Sequence, residues 1–167
     1  MLLRPEIKLT KITDITVNLL RRNGIRALIL DVDNTLSTHH GTVLTDGLPE
    51  WLDAMRDEGI SLVILSNSKR QRVEPFAEGL GLPFVSLGLK PLPFKFRSAL
   101  KITGAKKEET AIVGDQIFTD TLGGNLFGIK TILLDPIKPE TSKSFRFKRA
   151  VERAVIKKLG ITKTEVR

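Results

Sequence analysis

The sequence predicts an α/β fold, a three-layer, Rossmann-like parallel sheet flanked by helices. Two features carry the prediction: short apolar runs that do not alternate with polar residues, and stretches of helical spacing between them, closed by glycines nearby. A strand that is apolar on both faces must be covered on both, which a parallel sheet between two helix layers achieves. No internal repeat or low-complexity segment breaks the order.

In chain order, residues 11–22 come first, with Ile12, Ile15, Leu19 and Leu20 at helical spacing, and read as a helix packed on the sheet. Residues 26–32 hold the run Ala-Leu-Ile-Leu and read as a buried strand. A helix over 48–58 leads to a strand over 61–65, Leu-Val-Ile-Leu at its centre. A helix over 69–79 contains Pro75, which either kinks it or shifts its start. Phe84-Val85 is a weak strand signal, followed by a helix over 94–103. Strands over 110–113 and 131–134 bracket a helix over 120–127, and a basic helix over about 142–159 ends the pattern. Right-handed crossovers place the C-terminal ends of all the strands on one edge, where ligands bind in such sheets.

Composition narrows the chemistry. At 167 residues and 41% hydrophobic, the chain suits a single domain with a proper core and not a disordered segment. Without cysteine it offers no disulfide, thiolate nucleophile or thiolate metal site. No apolar run is long enough to span a bilayer, and the first residues lack the pattern of a secretion signal, so the expected location is cytoplasmic. The net charge of +8 directs attention to anionic partners: phosphorylated substrates, lipid headgroups or nucleic acid. Much of that charge lies in the C-terminal helix, where Lys143, Arg146, Lys148, Arg149, Arg153, Lys157 and Lys158 face one acid, Glu152.

The chemical signal is a set of polar residues placed just past apolar strands. Asp31 and Asp33 follow the first, Ser66 and Asn67 the second, Lys90 the third unit and Asp115 the fourth, with Asp120 downstream. Singly, each has a plain reading: Asp33-Asn34 as a turn, Gly114-Asp115 as a helix cap, Ser66 as a loop hydroxyl, Lys90 as a solvated cation. Together, at one edge of a parallel sheet, they converge. Carboxylates crowded around a phosphate need a divalent cation to coexist, and all-oxygen ligands suit Mg²⁺. A carboxylate can attack phosphorus to form an acyl-phosphate, while a lysine and a cation hold charge on the other oxygens. His39 and His40 have no partners at metal spacing and read as part of a mobile flap after the first strand.

These residues resemble, in order, the four motifs of the haloacid dehalogenase-like phosphatase superfamily: Asp31-Val-Asp33-Asn-Thr-Leu, Ser66, Lys90-Pro and Gly114-Asp115 with Asp120. The resemblance implies that Asp31 is the nucleophile and Asp33 the general acid, then base. It implies that Ser66, Asn67 and Lys90 bind the phosphoryl group, with Lys90 also positioning Asp31. Mg²⁺ would be held by Asp31, the backbone carbonyl of Asp33, and Asp115, with Asp120 as a supporting acid. Response-regulator receivers use similar groups, but their phosphorylated aspartate ends the third strand, and here that strand ends near Lys90 with no aspartate.

The intervals from Leu36 to Ser66 and from Ser66 to Lys90 are each filled by a helix and a strand, so the expected enzyme is capless. Ser-Asn-Ser, Lys-Pro-Leu-Pro, Gly-Asp-Gln-Ile-Phe-Thr-Asp and Leu-Gly-Gly-Asn are similar to the YqeG-type, subclass IIIA branch, which is similar in turn to mitochondrial phosphatidylglycerophosphate phosphatases. That resemblance implies hydrolysis of phosphatidylglycerophosphate to phosphatidylglycerol, with another phosphomonoester as the alternative. Phe145, Phe147, Val151, Val155 and Leu159 would form an apolar face of the basic helix, which either packs on the sheet or lies on anionic lipid as a peripheral contact. A ribosome- or RNA-associated factor is the remaining alternative, and an aromatic-rich RNA-binding motif to support nucleic acid is missing.

Overall fold

The computed structural model describes residues 1–38, 43–139 and 141–164, so His39 and His40 lie outside the described residues. Among the described residues, six strands form one sheet in the order β1-β6-β5-β2-β3-β4. They are β1 (Ile7–Lys8), β2 (Ala27–Leu30), β3 (Ser61–Leu65), β4 (Phe84–Val85), β5 (Thr110–Gly114) and β6 (Lys130–Leu133). Every pairing is parallel. The helices are α1 (Val17–Arg22), α2 (Leu48–Asp57), α3 (Arg70–Gly79), α4 (Phe94–Thr103), α5 (Leu122–Phe127) and α6 (Lys143–Lys158).

The central strand explains why the apolar runs lack alternation. Leu28 and Leu30 of β2 join the core on one face, with Trp51, Met55 and Val73 of the helices there. Ile29 joins the core on the other, with Phe96, Ala99 and Phe127. Both faces are dry, so each residue of the strand must be apolar. Fully burying a side chain of this size contributes roughly 1.5–3 kcal/mol. On the second face the Phe96 and Phe127 rings stack at 5.7 Å. Close approach of α5 to the sheet there depends on Gly124, where a Cβ would lie 2.4 Å from Ile112.

Three elements differ from expectation. The N-terminal helix is divided: a 3₁₀ turn at Ile12–Asp14 precedes α1, because Thr16 caps the new helix by accepting the Leu19 N–H at 3.1 Å. Ile12, Ile15, Leu19 and Leu20 are buried nonetheless. The helix expected over 120–127 begins instead as a π-helical stretch, Ile117–Thr121, that runs into α5. In α6, Phe147 is 74% and Val151 37% exposed, while the two buried residues are Arg149 and Glu152. Pro75 lies within α3, which starts at Arg70. The edge strand β1, two residues long, had no periodicity to reveal it.

Register is what assembles the functional edge. Leu30 lies beside Ile64 of β3 on one side and Val113 of β5 on the other. The residues just past these strand ends, Asp31, Ser66 and Asp115, therefore emerge together. Neither interval after Asp31 or after Ser66 holds an inserted domain among the described residues.

Candidate active site

The pairing of β2 with β5 extends to Asp31, whose N–H donates to the Val113 carbonyl at 2.9 Å. The chain then turns sharply, with the Thr35 and Leu36 N–H groups both donating to the Val32 carbonyl at 3.2 and 3.0 Å. Asn34 takes a left-handed conformation, φ 56°, which asparagine tolerates better than most residues. Asp31 and Asp33 both line a cavity of about 320 Å³ at the sheet edge.

Lys90 crosses beneath this cavity. Its ammonium donates to Asp31 Oδ1 at 2.6 Å and to Asp120 Oδ1 at 2.7 Å, with all three residues buried. Burial works to lower the Lys90 pKa, but Asp120 and Asp31 outweigh it and hold the group above its ordinary value. Asn67 fixes the lysine's backbone from both sides, accepting the Lys90 N–H at 2.8 Å and donating to the Lys90 carbonyl at 3.2 Å. Asn67 thus lines the cavity while its amide serves Lys90. The Ser66 hydroxyl accepts the Ser68 N–H at 3.1 Å, which leaves its own proton to donate.

Asp31, Asp115 and Asp120 each bring a carboxylate oxygen within 4.8 Å of the others, all buried. Burial pushes the Asp31 carboxyl up to about 7; Lys90 pulls against it, and Asp120 adds to the rise. Burial likewise drives Asp115 well above the carboxylate range, against the pull of Arg149. Asp115 Oδ1 is buried and accepts no hydrogen bond among the described residues. Crowded carboxylates with an unsatisfied oxygen are what a divalent cation with oxygen ligands requires, so the residues fit such a cation. Asp120 is held over the strand end because Gly114 has no side chain; a Cβ there would lie 2.2 Å from the Asp120 carboxylate. Asp120 Oδ2 accepts the Gln116 N–H at 3.2 Å across the π-helical stretch.

All the residues expected from sequence reach this edge, and others join them, Ser68 and Thr119 among them. Arg72 of α3 pairs with both carboxylate oxygens of Asp33, with Nη1 at 3.1 Å from Oδ2, and donates to Ser68 Oγ at 2.9 Å. Gln116, Phe145 and Lys148 line the cavity, and Lys148 Nζ donates to Gln116 Oε1 at 2.5 Å. Arg149 binds the Asp115 carbonyl and carboxylate. So α6 forms part of the wall of the cavity. A second, apolar groove of about 470 Å³ shares Asp33, Ser66, Ser68 and Arg72 with the first and is otherwise lined by Val32, Leu44, Val73 and Phe76, among others. The signals for these residues were slight: Arg72 stands one helical turn past Ser68, and Arg149 stands three residues before Glu152, the lone acid of α6.

Sequence comparison agrees with this geometry. A family described as haloacid dehalogenase-like hydrolase matches residues 38–128. "Probable phosphatase YqeG" of Bacillus subtilis is 37% identical over 155 residues, covering 93% of this chain and 90% of that protein. "Phosphatidylglycerophosphate phosphatase 1, chloroplastic/mitochondrial" of Arabidopsis thaliana is 23% identical over 164 residues, 92% of this chain and 47% of that protein. Among solved structures, NagD from Escherichia coli K-12 shares the fold with a TM-score of 0.56 at 19% identity, covering 69% of this chain and 90% of that one.

Proposed function

Because the chain belongs to the haloacid dehalogenase-like hydrolase family and is a phosphoric monoester hydrolase, we propose that Asp31 attacks the substrate phosphorus and carries the phosphoryl group as an aspartyl-phosphate. The observation that carries this reading is the Asp31 carboxylate itself. It is buried and lines the cavity, with Oδ1 held by the Lys90 ammonium at 2.6 Å. A nucleophile held by one oxygen presents the other in a defined direction.

In the first step Asp31 Oδ2 bonds to phosphorus as the ester bond breaks, and Asp33 gives its proton to the departing oxygen. In the second, Asp33 takes a proton from water as the water oxygen attacks phosphorus, releasing inorganic phosphate and regenerating Asp31. Ser66 donates its hydroxyl proton to a phosphoryl oxygen, and Lys90 offsets the negative charge of the phosphoryl group. A divalent cation, assigned here as Mg²⁺, would be held by Asp31, the backbone carbonyl of Asp33, and Asp115, and it supplies charge neutralisation between the carboxylates and the phosphate. Asp120 keeps the Lys90 ammonium in place.

The substrate reading is phosphatidylglycerophosphate, hydrolysed to phosphatidylglycerol at a membrane surface. Three features support it: the name of the Arabidopsis relative, the lack of an inserted domain among the described residues, and the basic outer face of α6. There Lys143, Arg146, Phe147 and Arg153 line one surface depression with Lys138, and Phe147 projects into solvent. A soluble phosphomonoester is the second reading, favoured by the wall that α6 builds at the catalytic cavity. Phosphate release from phosphatidylglycerophosphate in anionic vesicles, compared with sugar phosphates and nucleotides, separates them. Efficient turnover of a soluble ester with none of the lipid would discard the first.

A further inference from the structure

Arg149 sits where a charge is costly. It is 8% exposed and lies on a helix outside the motif-bearing core, facing inward while most of the basic residues around it face solvent. A buried guanidinium persists only when its donors are met. Arg149 Nη1 donates to the Asp115 backbone carbonyl at 2.8 Å and to Glu152 Oε2 at 3.0 Å, while Nη2 donates to Asp115 Oδ2. Glu152, 3% exposed, is anchored in turn, since its Oε1 accepts the Phe118 N–H at 3.4 Å. One side chain therefore grips Asp115 at both main chain and carboxylate.

The grip is selective. Oδ2 of Asp115 is taken by the guanidinium, and Oδ1 is buried with no partner among the described residues. The surrounding charges favour a cation. Asp31, Asp115, Asp120 and Glu152 carry four formal negative charges against the two positive charges of Lys90 and Arg149. One divalent ion would balance the set. The two guanidinium nitrogens, fixed in one plane, reach the main-chain carbonyl and a carboxylate oxygen of the same residue together, a geometry that a lysine's single nitrogen does not reproduce.

We propose that Arg149 is a positioning residue for the metal centre: it engages Asp115 Oδ2 and the Asp115 carbonyl, reserving Oδ1 for a divalent cation, with Glu152 fixing the guanidinium. This makes α6 part of the catalytic centre. The proposal rests on the metal-dependent reading above. Partners one step removed from a metal typically contribute 10–100-fold to its affinity.

The test is direct cation binding without substrate, using Mn²⁺ followed by electron paramagnetic resonance and Mg²⁺ by calorimetry. Arg149→Met, similar in bulk but uncharged, should weaken Mn²⁺ binding about tenfold or more. Arg149→Lys should recover only part, because it restores charge without the second nitrogen. Glu152→Gln should weaken binding less than Arg149→Met. Should Arg149→Met fail to fold by circular dichroism, Arg149→Lys and Glu152→Gln carry the same comparison. Unchanged or tighter Mn²⁺ binding in folded variants overturns the proposal, tighter binding meaning that the guanidinium competes with the cation. If the native chain binds no divalent cation, the metal-dependent reading falls and this proposal falls with it.

Discussion

Arg72 holds the carboxylate of Asp33 from α3, with Nη1 3.1 Å from Oδ2 and Nη2 on Oδ1. The pair sits where the catalytic cavity meets the apolar groove, both of which it lines. Asp33 is the proposed proton donor to the leaving group; the guanidinium favours its ionised form, so one of the two bonds must open for Asp33 to carry the proton, and the other keeps the carboxylate in place. Arg72→Met should slow alkyl phosphates, which need protonation, roughly tenfold, as part of the 10²–10⁴ that general acid catalysis supplies. Aryl esters with good leaving groups should lose far less in the first step. Asp33→Asn should show the same leaving-group pattern more strongly, and the double variant should be no worse than Asp33→Asn alone. Equal losses across leaving groups would remove both residues from acid catalysis.

Asp31→Asn should reduce turnover at least about a thousandfold, since covalent catalysis is lost with the nucleophile. The fold should survive, because Lys90 retains Asp120 as an ion-pair partner. Brief incubation of the native enzyme with labelled substrate should give a phosphoenzyme that hydroxylamine cleaves, and Asp31→Asn should give none. A labelled Asp31→Asn protein would move the nucleophile elsewhere.

Much of this site was legible in the sequence, for a definite reason. Strands buried on both faces leave unbroken apolar runs, and the polar residue that ends each run must then lie at the sheet edge. Asp31, Ser66 and Asp115 were found that way. Arg72 and Arg149 were not, because an arginine on a helix reads as solvated, and only packing reveals which ones turn inward. The same ambiguity misassigned the face of α6. Phe145, Val155 and Leu159 are half-buried as expected, but Phe147 and Val151 face outward and the inner positions go to Arg149 and Glu152. Charge complementarity with Asp115 decided the orientation.

Removal of divalent metal should stop activity, and Mg²⁺ should restore it. Asp115→Ala should raise the Mg²⁺ concentration needed for half-maximal rate by about tenfold or more, as loss of a ligand demands. Ca²⁺ should inhibit, since its longer bonds and looser geometry misplace the attacking carboxylate. Full activity in excess chelator would exclude the metal altogether.

Asp135, just past β6, joins Lys8 of β1 to Lys163 of the C-terminal segment, the latter at 3.2 Å. Burial raises its carboxyl pKa, but hydrogen bonds and charge from Lys8 and Lys163 prevail and hold it below the ordinary value. A depressed folded-state pKa means stability that is present above the unfolded carboxylate range and is lost as pH falls through the folded value. The native protein should therefore lose more melting temperature between pH 5 and pH 3 than Asp135→Asn does. Parallel melting curves for the two proteins across that interval would show that the clasp contributes nothing.

The membrane reading now rests on a specific set of residues. Lys148 and Arg149 are engaged at the catalytic centre, so substituting them would damage chemistry and say nothing about lipid. Lys143, Arg146 and Arg153 line the outer face of α6 around exposed Phe147, in a depression that Arg149 borders from within. A basic charge near an anionic bilayer is worth roughly a factor of five in binding, so replacing all three with Gln should weaken vesicle affinity roughly a hundredfold at low salt. The native affinity should fall as salt rises, because screening shortens the reach of the surface potential. Phe147→Ala should weaken vesicle binding in a salt-independent way, as loss of apolar insertion requires. None of these four residues lines the catalytic cavity, so hydrolysis of a small chromogenic ester should be unchanged in every variant. The apparent KM for phosphatidylglycerophosphate in vesicles should rise while kcat holds. Vesicle binding that is indifferent to the triple substitution, or a salt-sensitive complex with RNA in place of any lipid activity, would assign the basic face of α6 to another partner.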